Sequence, residues 1–185
     1  MTPGRFDPVG IIEVLNRHGV DHVIIGGFAA AAQGSSLSTG DVDVMPERSP
    51  ENLARLSEAL TELDARIRVA EAPEGLRFSH SGDSLRGIAL LNLTTRHGDL
   101  DLVMDPAGGT PYGELASRAL TIHVHGVKMT IAGLDDIIDS KAAANRPKDR
   151  EAVRVLQELR AQLARNGLDD PEPRRPDPPA GSEGR

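Results

Sequence analysis

The chain has 185 residues, enough for one domain with a sizeable core. It contains no cysteine, which excludes disulfides, thiolate metal sites and a cysteine nucleophile, and its three Phe, one Tyr and no Trp leave little for a base-stacking platform. A formal net charge of −7 argues against nucleic-acid binding by bulk charge, yet residues 141–165 carry seven basic side chains against three acidic ones.

No apolar run approaches the length of a membrane span, and no charged-then-apolar leader follows Met1, so a cytoplasmic protein with no membrane partner is expected. Asp7-Pro8 reads as an N-cap and first-turn proline, with Val9, Ile12, Val14 and Leu15 as the apolar face of a helix that glycine stops at Gly19. His22–Ile25 is a short β-branched run and predicts a buried strand. A turn at Gly26-Gly27 leads into a short alanine-rich helix ending near Gly34. After a small polar loop, Asp41–Met45 predicts a second strand, stopped by Pro46.

Ser49-Pro50 opens a helix striped by Leu53, Leu56, Leu60 and Leu63. Ala65–Ala70 predicts a short strand, and residues 71–86 a loop or edge hairpin around Leu76–Phe78. Gly87–Thr95 and Asp99–Val103, joined at Arg96-His97-Gly98, read as a hairpin. A helix over Tyr112–Arg118 and a second hairpin, Thr121–His125 with Val127–Ile131, follow. The last elements are a helix from Leu134 to Asn145 and another from Pro147 bearing Val153, Leu156, Leu159 and Leu163. From residue 166 to 185 the chain is rich in Pro, Gly, Arg and acid and predicts a disordered tail behind a domain of residues 1–165. The mixture of helices and strands lacks strict βα alternation, so the expected class is α+β with a mixed sheet and flanking helices.

The chemistry concentrates around Gly26-Gly27 and Asp41-Val42-Asp43. On a strand the period of two sends both carboxylates to one face, where they repel unless a cation lies between them. Mg²⁺, which takes carboxylate and phosphate oxygens, suits such a pair, and glycines nearby let backbone approach a phosphate. Two-metal phosphoryl chemistry needs a third acid. Asp101 in Gly98-Asp99-Leu100-Asp101-Leu102 is the candidate, with Asp99 on the same face as the rival. Ser38 and Thr39 offer hydroxyls to a phosphate or to the loop, and Asp149, at the start of a helix, sits where the helix dipole stabilises a carboxylate. His123 and His125 alternate on a strand, and His80 and His97 stand alone; without a carboxylate partner at zincin spacing they read as surface histidines.

Gly-Gly, a thirteen-residue spacer and Asp-x-Asp resemble the signature of the nucleotidyltransferase superfamily, the polymerase-β-like fold. Thr39-x-Asp41-x-Asp43, together with Lys141 and Arg146-Pro147-Lys148-Asp149, looks most like the AbiEii/MenT-type toxins of bacterial toxin–antitoxin systems. The resemblance implies a polymerase-β-like sheet, with Asp41, Asp43 and Asp101 as ligands of Mg²⁺. It implies that Gly26, Gly27, Ser38, Thr39 and Lys141 face the NTP and that Lys141 and Asp149 complete the catalytic set. It further implies transfer of nucleotides to the 3′ acceptor end of tRNA and a cognate antitoxin as partner. Members often carry an arginine two positions before the threonine, where this chain has Leu37. A small-molecule or protein hydroxyl as acceptor, and a non-catalytic binding module of the same fold, are the rival readings.

Overall fold

A computed structural model describes residues 6–167. Among them run α1 (Pro8–Arg17), β1 (His22–Ile25), α2 (Gly26–Ala32), β2 (Asp41–Pro46), α3 (Pro50–Glu62), β3 (Arg66–Val69), β4 (Ala72–Leu76) and α4 (Gly82–Leu85). The chain continues with β5 (Leu90–Thr95), β6 (Gly98–Val103), α5 (Tyr112–Arg118), β7 (Leu120–Val124), β8 (Val127–Ile131), α6 (Leu134–Ala144) and α7 (Pro147–Arg165). The strands form one eight-stranded sheet in the order β4-β3-β5-β6-β2-β1-β8-β7. Most neighbours are antiparallel, but β2 lies parallel to β6 and β1 parallel to β8, so the sheet is mixed and the α+β expectation holds.

The helix starts follow their caps. Asp7 accepts from the Gly10 N–H and Ser49 from the Asn52 N–H, each with proline just inside the helix. The stripes of α1 (Ile11, Ile12, Leu15) and α3 (Leu53, Leu56, Leu60) are fully buried. These helices pack on each other and against the sheet, where Val42, Val44, Leu100 and Leu102 complete the same core.

The structure departs from expectation in three places. Gly26 and Gly27 form no separate turn but are the first residues of α2. Residues 71–86 hold a strand earlier than Leu76–Phe78 and then α4. That helix is held by reciprocal Ser81 and Ser84 caps and anchored by buried Leu85, and it is too short to carry a periodic pattern. The strand expected from Gly87 begins at Leu90. The expected tail lies, from residue 168 onward, outside the described residues.

Candidate active site

Strands β2 and β6 run side by side in parallel with Asp41 opposite Asp99 and Asp43 opposite Asp101. Because Val42, Val44, Leu100 and Leu102 are buried in the core, pleating sends all four carboxylates to the other face. That face opens into a cleft of about 560 Å³. Asp41, Asp43 and Asp101 line it on one side, and Leu115, Asp136, Ile137, Ser140 and Lys141 of α5 and α6 on the other. Asp99 is not among the lining residues.

The glycines serve this chain's own side chains. Ile25 at the end of β1 stands opposite Asp43, and the backbone leaves the strand at Gly26 with φ +70°. A Cβ on Gly26 would lie 2.0 Å from Asp43 Oδ2, and one on Gly27 would lie 2.9 Å from Thr39 Oγ1. The Gly27 N–H donates to the Asp43 carboxylate. Gly26 lines the cleft and Gly27 does not.

Thr39 faces the acid pair rather than the cavity. Its hydroxyl lies 3.0 Å from Asp41 Oδ1 and 3.1 Å from the Asp41 carbonyl oxygen, and so fixes the first carboxylate. Ser38 is not a lining residue. Leu37 packs partly buried against the core. Lys141, late in α6, lines the cleft with Arg146 and Lys148 of the turn into α7. Asp149 is 1% exposed and outside the lining set. It forms a capping box with Arg146, accepting from Arg146 Nε at 2.5 Å, with Lys141 Nζ 3.9 Å away. Burial raises its pKa, but the Arg146 hydrogen bonds and the Arg146 and Lys141 charges together hold it below the usual carboxylate range. The sequence left Asp149 open between a site carboxylate and a helix N-terminal one; in the structure it caps α7 and ties Arg146 and Lys141 together.

Arg68 is the site residue that the sequence reading missed. It reaches from β3 over β5 to place one guanidinium nitrogen 2.7 Å from Asp99 Oδ2 and the other 2.7 Å from Asp101 Oδ1. The only signal was the alternation Arg66-Ile67-Arg68, which sends two cations to one strand face without naming their partners.

The acidic side remains short of positive charge. Burial, then repulsion from Asp41 and Asp101, pushes the Asp43 carboxyl up to about 6 against the pull of Lys141 and the Gly27 N–H. Burial also raises Asp101 in spite of Arg68. Hard oxygen donors that repel one another in a cleft fit a divalent cation such as Mg²⁺ by the chemistry of the donor set. They do not form a ready-made cage: among the described residues no three His, Asp or Glu side chains converge on a metal position, and Asp101 is engaged by Arg68. The histidines lie apart from the cleft. His97 pairs with Asp7, His80 with Ser57, and His125 takes φ +50° in the β7–β8 turn.

The surroundings of α7 also change the reading of its charge. Arg160 pairs with Asp135 of α6 and Arg154 with Glu151 of its own helix, so these two cations of residues 141–165 are held in ion pairs. What faces the cleft is Lys141, Arg146 and Lys148.

This architecture is the nucleotidyltransferase fold. No family model and no curated protein matches the chain. Among solved structures it resembles the lincosamide antibiotic adenylyltransferase LnuA in its lincomycin-bound form (TM-score 0.52, 12% identity, 81% of this chain and 94% of that one). It also resembles an antigenic nucleotidyltransferase-like protein from Paracoccidioides brasiliensis (TM-score 0.52, 16% identity, 83% and 73%). A third match is a Thermotoga maritima protein described as a nucleotidyltransferase (TM-score 0.51, 18% identity, 82% and 90%). At these identities the likeness is one of fold.

Proposed function

We propose that the protein is an NTP-dependent nucleotidyltransferase. The observation that carries this reading is the juxtaposition, in one cleft, of Asp41, Asp43 and Asp101 with Lys141 facing them. Asp41, Asp43 and Asp101 would hold Mg²⁺, which supplies neutralisation of triphosphate charge and lowers the pKa of an acceptor hydroxyl. Thr39 keeps Asp41 in its rotamer. Gly26 leaves room for Asp43. Lys141 directs three donors at phosphate oxygens, and Arg146 and Lys148 extend the positive side of the cleft. The acceptor oxygen forms a bond to the α-phosphorus as the bond to pyrophosphate breaks, and the hydroxyl proton is released. Catalysis on this reading is mostly positioning and charge stabilisation.

For the acceptor, the resemblance to AbiEii/MenT-type toxins supports the 3′ end of tRNA, with arrest of translation as the outcome and a cognate antitoxin as the neutralising partner. Such a protein works in the cytoplasm, where NTP and tRNA are. The cationic Lys141–Lys148 rim is the part of the cleft suited to an RNA backbone. One observation favours a second reading, a small-molecule hydroxyl as acceptor: among the solved structures whose fold this chain shares is the lincosamide antibiotic adenylyltransferase LnuA.

Incubation with each radiolabelled NTP, Mg²⁺ and total RNA tests both. Labelled tRNA that disappears with Asp41→Ala supports the toxin reading. Label transferred to an added small polyol or aminoglycoside, with RNA unlabelled, supports the second. Absence of transfer from any NTP to any acceptor refutes nucleotidyl transfer.

A further inference from the structure

Arg68 occupies an unusual place. Strand β3 pairs with β5, Ile67 standing opposite Leu93, and β5 pairs with β6, Asn92 standing opposite Asp101. Adjacent strands are about 4.8 Å apart, so the Arg68 side chain spans roughly two strand spacings above Asn92 to meet β6. It does so at an irregularity: the register between β3 and β4 shifts between Ile67 and Val69, the two neighbours of Arg68. Such shifts re-aim a side chain and recur beside active sites. The guanidinium lines the cleft, and its two ends divide between a carboxylate that lines the cleft (Asp101) and one that does not (Asp99).

We propose that Arg68 is an internal cation that holds Asp101 out of the metal-binding set, so that a divalent ion must displace one end of the guanidinium before all three carboxylates can engage it. The inference rests on the metal reading given under "Proposed function". Three observations carry it. Asp101 is turned to Arg68 at hydrogen-bond distance, and no three-acid cage is assembled among the described residues. The acids Asp41, Asp43, Asp99 and Asp101 share one face with a single guanidinium between two of them. Asp99 holds the other end of the same guanidinium, so displacement from Asp101 leaves Arg68 paired rather than stranded. Asp99 thereby gains a role: it parks the arginine, while Asp101 serves the metal. If the paired state is favoured ten to one, the apparent affinity for the ion falls about tenfold.

Binding of Mn²⁺ alone, followed by loss of the free-ion paramagnetic resonance signal in nucleotide-free protein, tests this without reference to activity. Arg68→Met is expected to bind Mn²⁺ at least about tenfold more tightly than the wild type, with Arg68→Lys between them. Asp99→Asn, which removes the parking carboxylate, is expected to weaken binding. Circular dichroism monitors folding; should Arg68→Met not fold, Arg68→Gln and Asp99→Asn carry the comparison. Equal or weaker Mn²⁺ binding by a folded Arg68 variant, with the wild type binding normally, overturns the inference and leaves the metal reading standing. No Mn²⁺ binding by wild type or variant at millimolar ion overturns the metal reading and the inference with it.

Discussion

Replacing Asp43 by asparagine is expected to stabilise the metal-free protein while removing its response to metal. The carboxyl of Asp43 is raised from 3.8 to about 6 by burial and by Asp41 and Asp101. A shift of that size corresponds to about 3 kcal/mol. The folded state holds this proton more tightly than the unfolded chain, so wild-type stability falls as pH rises from about 4 through about 6 and stays low above. Asparagine is neutral at every pH and still accepts from the Gly27 N–H. Asp43→Asn is therefore more stable by up to about 3 kcal/mol at pH 8, with the gap roughly halved at pH 5. For a domain of this size that is about 6–12 °C in Tm. The assay is thermal and urea unfolding in chelated buffer at both pH values, then with Mg²⁺ added. A ligand that binds only the native state at a hundred times its Kd adds about 2.7 kcal/mol. The wild type should gain of this order and the variant much less. An Asp43→Asn protein less stable than wild type at pH 8 without metal refutes the charge argument.

Three further outcomes follow from particular contacts. Gly26→Ala puts a Cβ into the Asp43 carboxylate at φ +70° and should lower stability by about 1–3 kcal/mol, with at least a tenfold loss of nucleotide transfer; unfolding curves and label incorporation check it. Asp149→Ala removes the acceptor for Arg146 at the start of α7 and should destabilise by about 2 kcal/mol. Asp149→Asn keeps an acceptor and should retain measurable transfer below its Tm; complete loss of transfer in a folded Asp149→Asn protein would make the carboxylate catalytic after all. Burial lowers the pKa of His22 below 6.5 against the Val20 carbonyl bond and the Asp21 charge, so its neutral form is required. Stability from this group is full above pH 6.5 and declines as pH falls below it. In an Asp43→Asn background, which silences the opposing titration, urea unfolding between pH 7 and 5 should show that decline, and His22→Gln should flatten it.

What was readable in the chain was local. The period of two in Asp41-Val42-Asp43-Val44 and Asp99-Leu100-Asp101-Leu102 placed valines and leucines in the core and the acids together, and the β2–β6 register brought the two sets side by side. Asp7-Pro8, Ser49-Pro50 and Pro147 announced their helices because capping is a short-range bargain between neighbours. What was not readable depends on partners distant along the chain. Gly26 and Gly27 read as a turn that meets phosphate. The structure adds a steric need for glycine at both positions, set by Asp43 and Thr39, whose positions only the folded register fixes.

Asp149 offered the same acid to two explanations, and only the fold shows its neighbours in space, Arg146 and Lys141. Arg68 carried no motif at all, since its meaning is a reach across β5 to two carboxylates. Local rules therefore built the acidic strands, and long-range ones left them undercompensated. Asp43 and Asp101 are buried with raised pKa values although Lys141 and Arg68 stand close by. A fold selected only for stability has cheap remedies, such as one asparagine or one further cation in the cleft. A cluster kept short of positive charge, in a cleft with an arginine that already has a second carboxylate to hold, is the feature on which the proposed binding of an external cation rests.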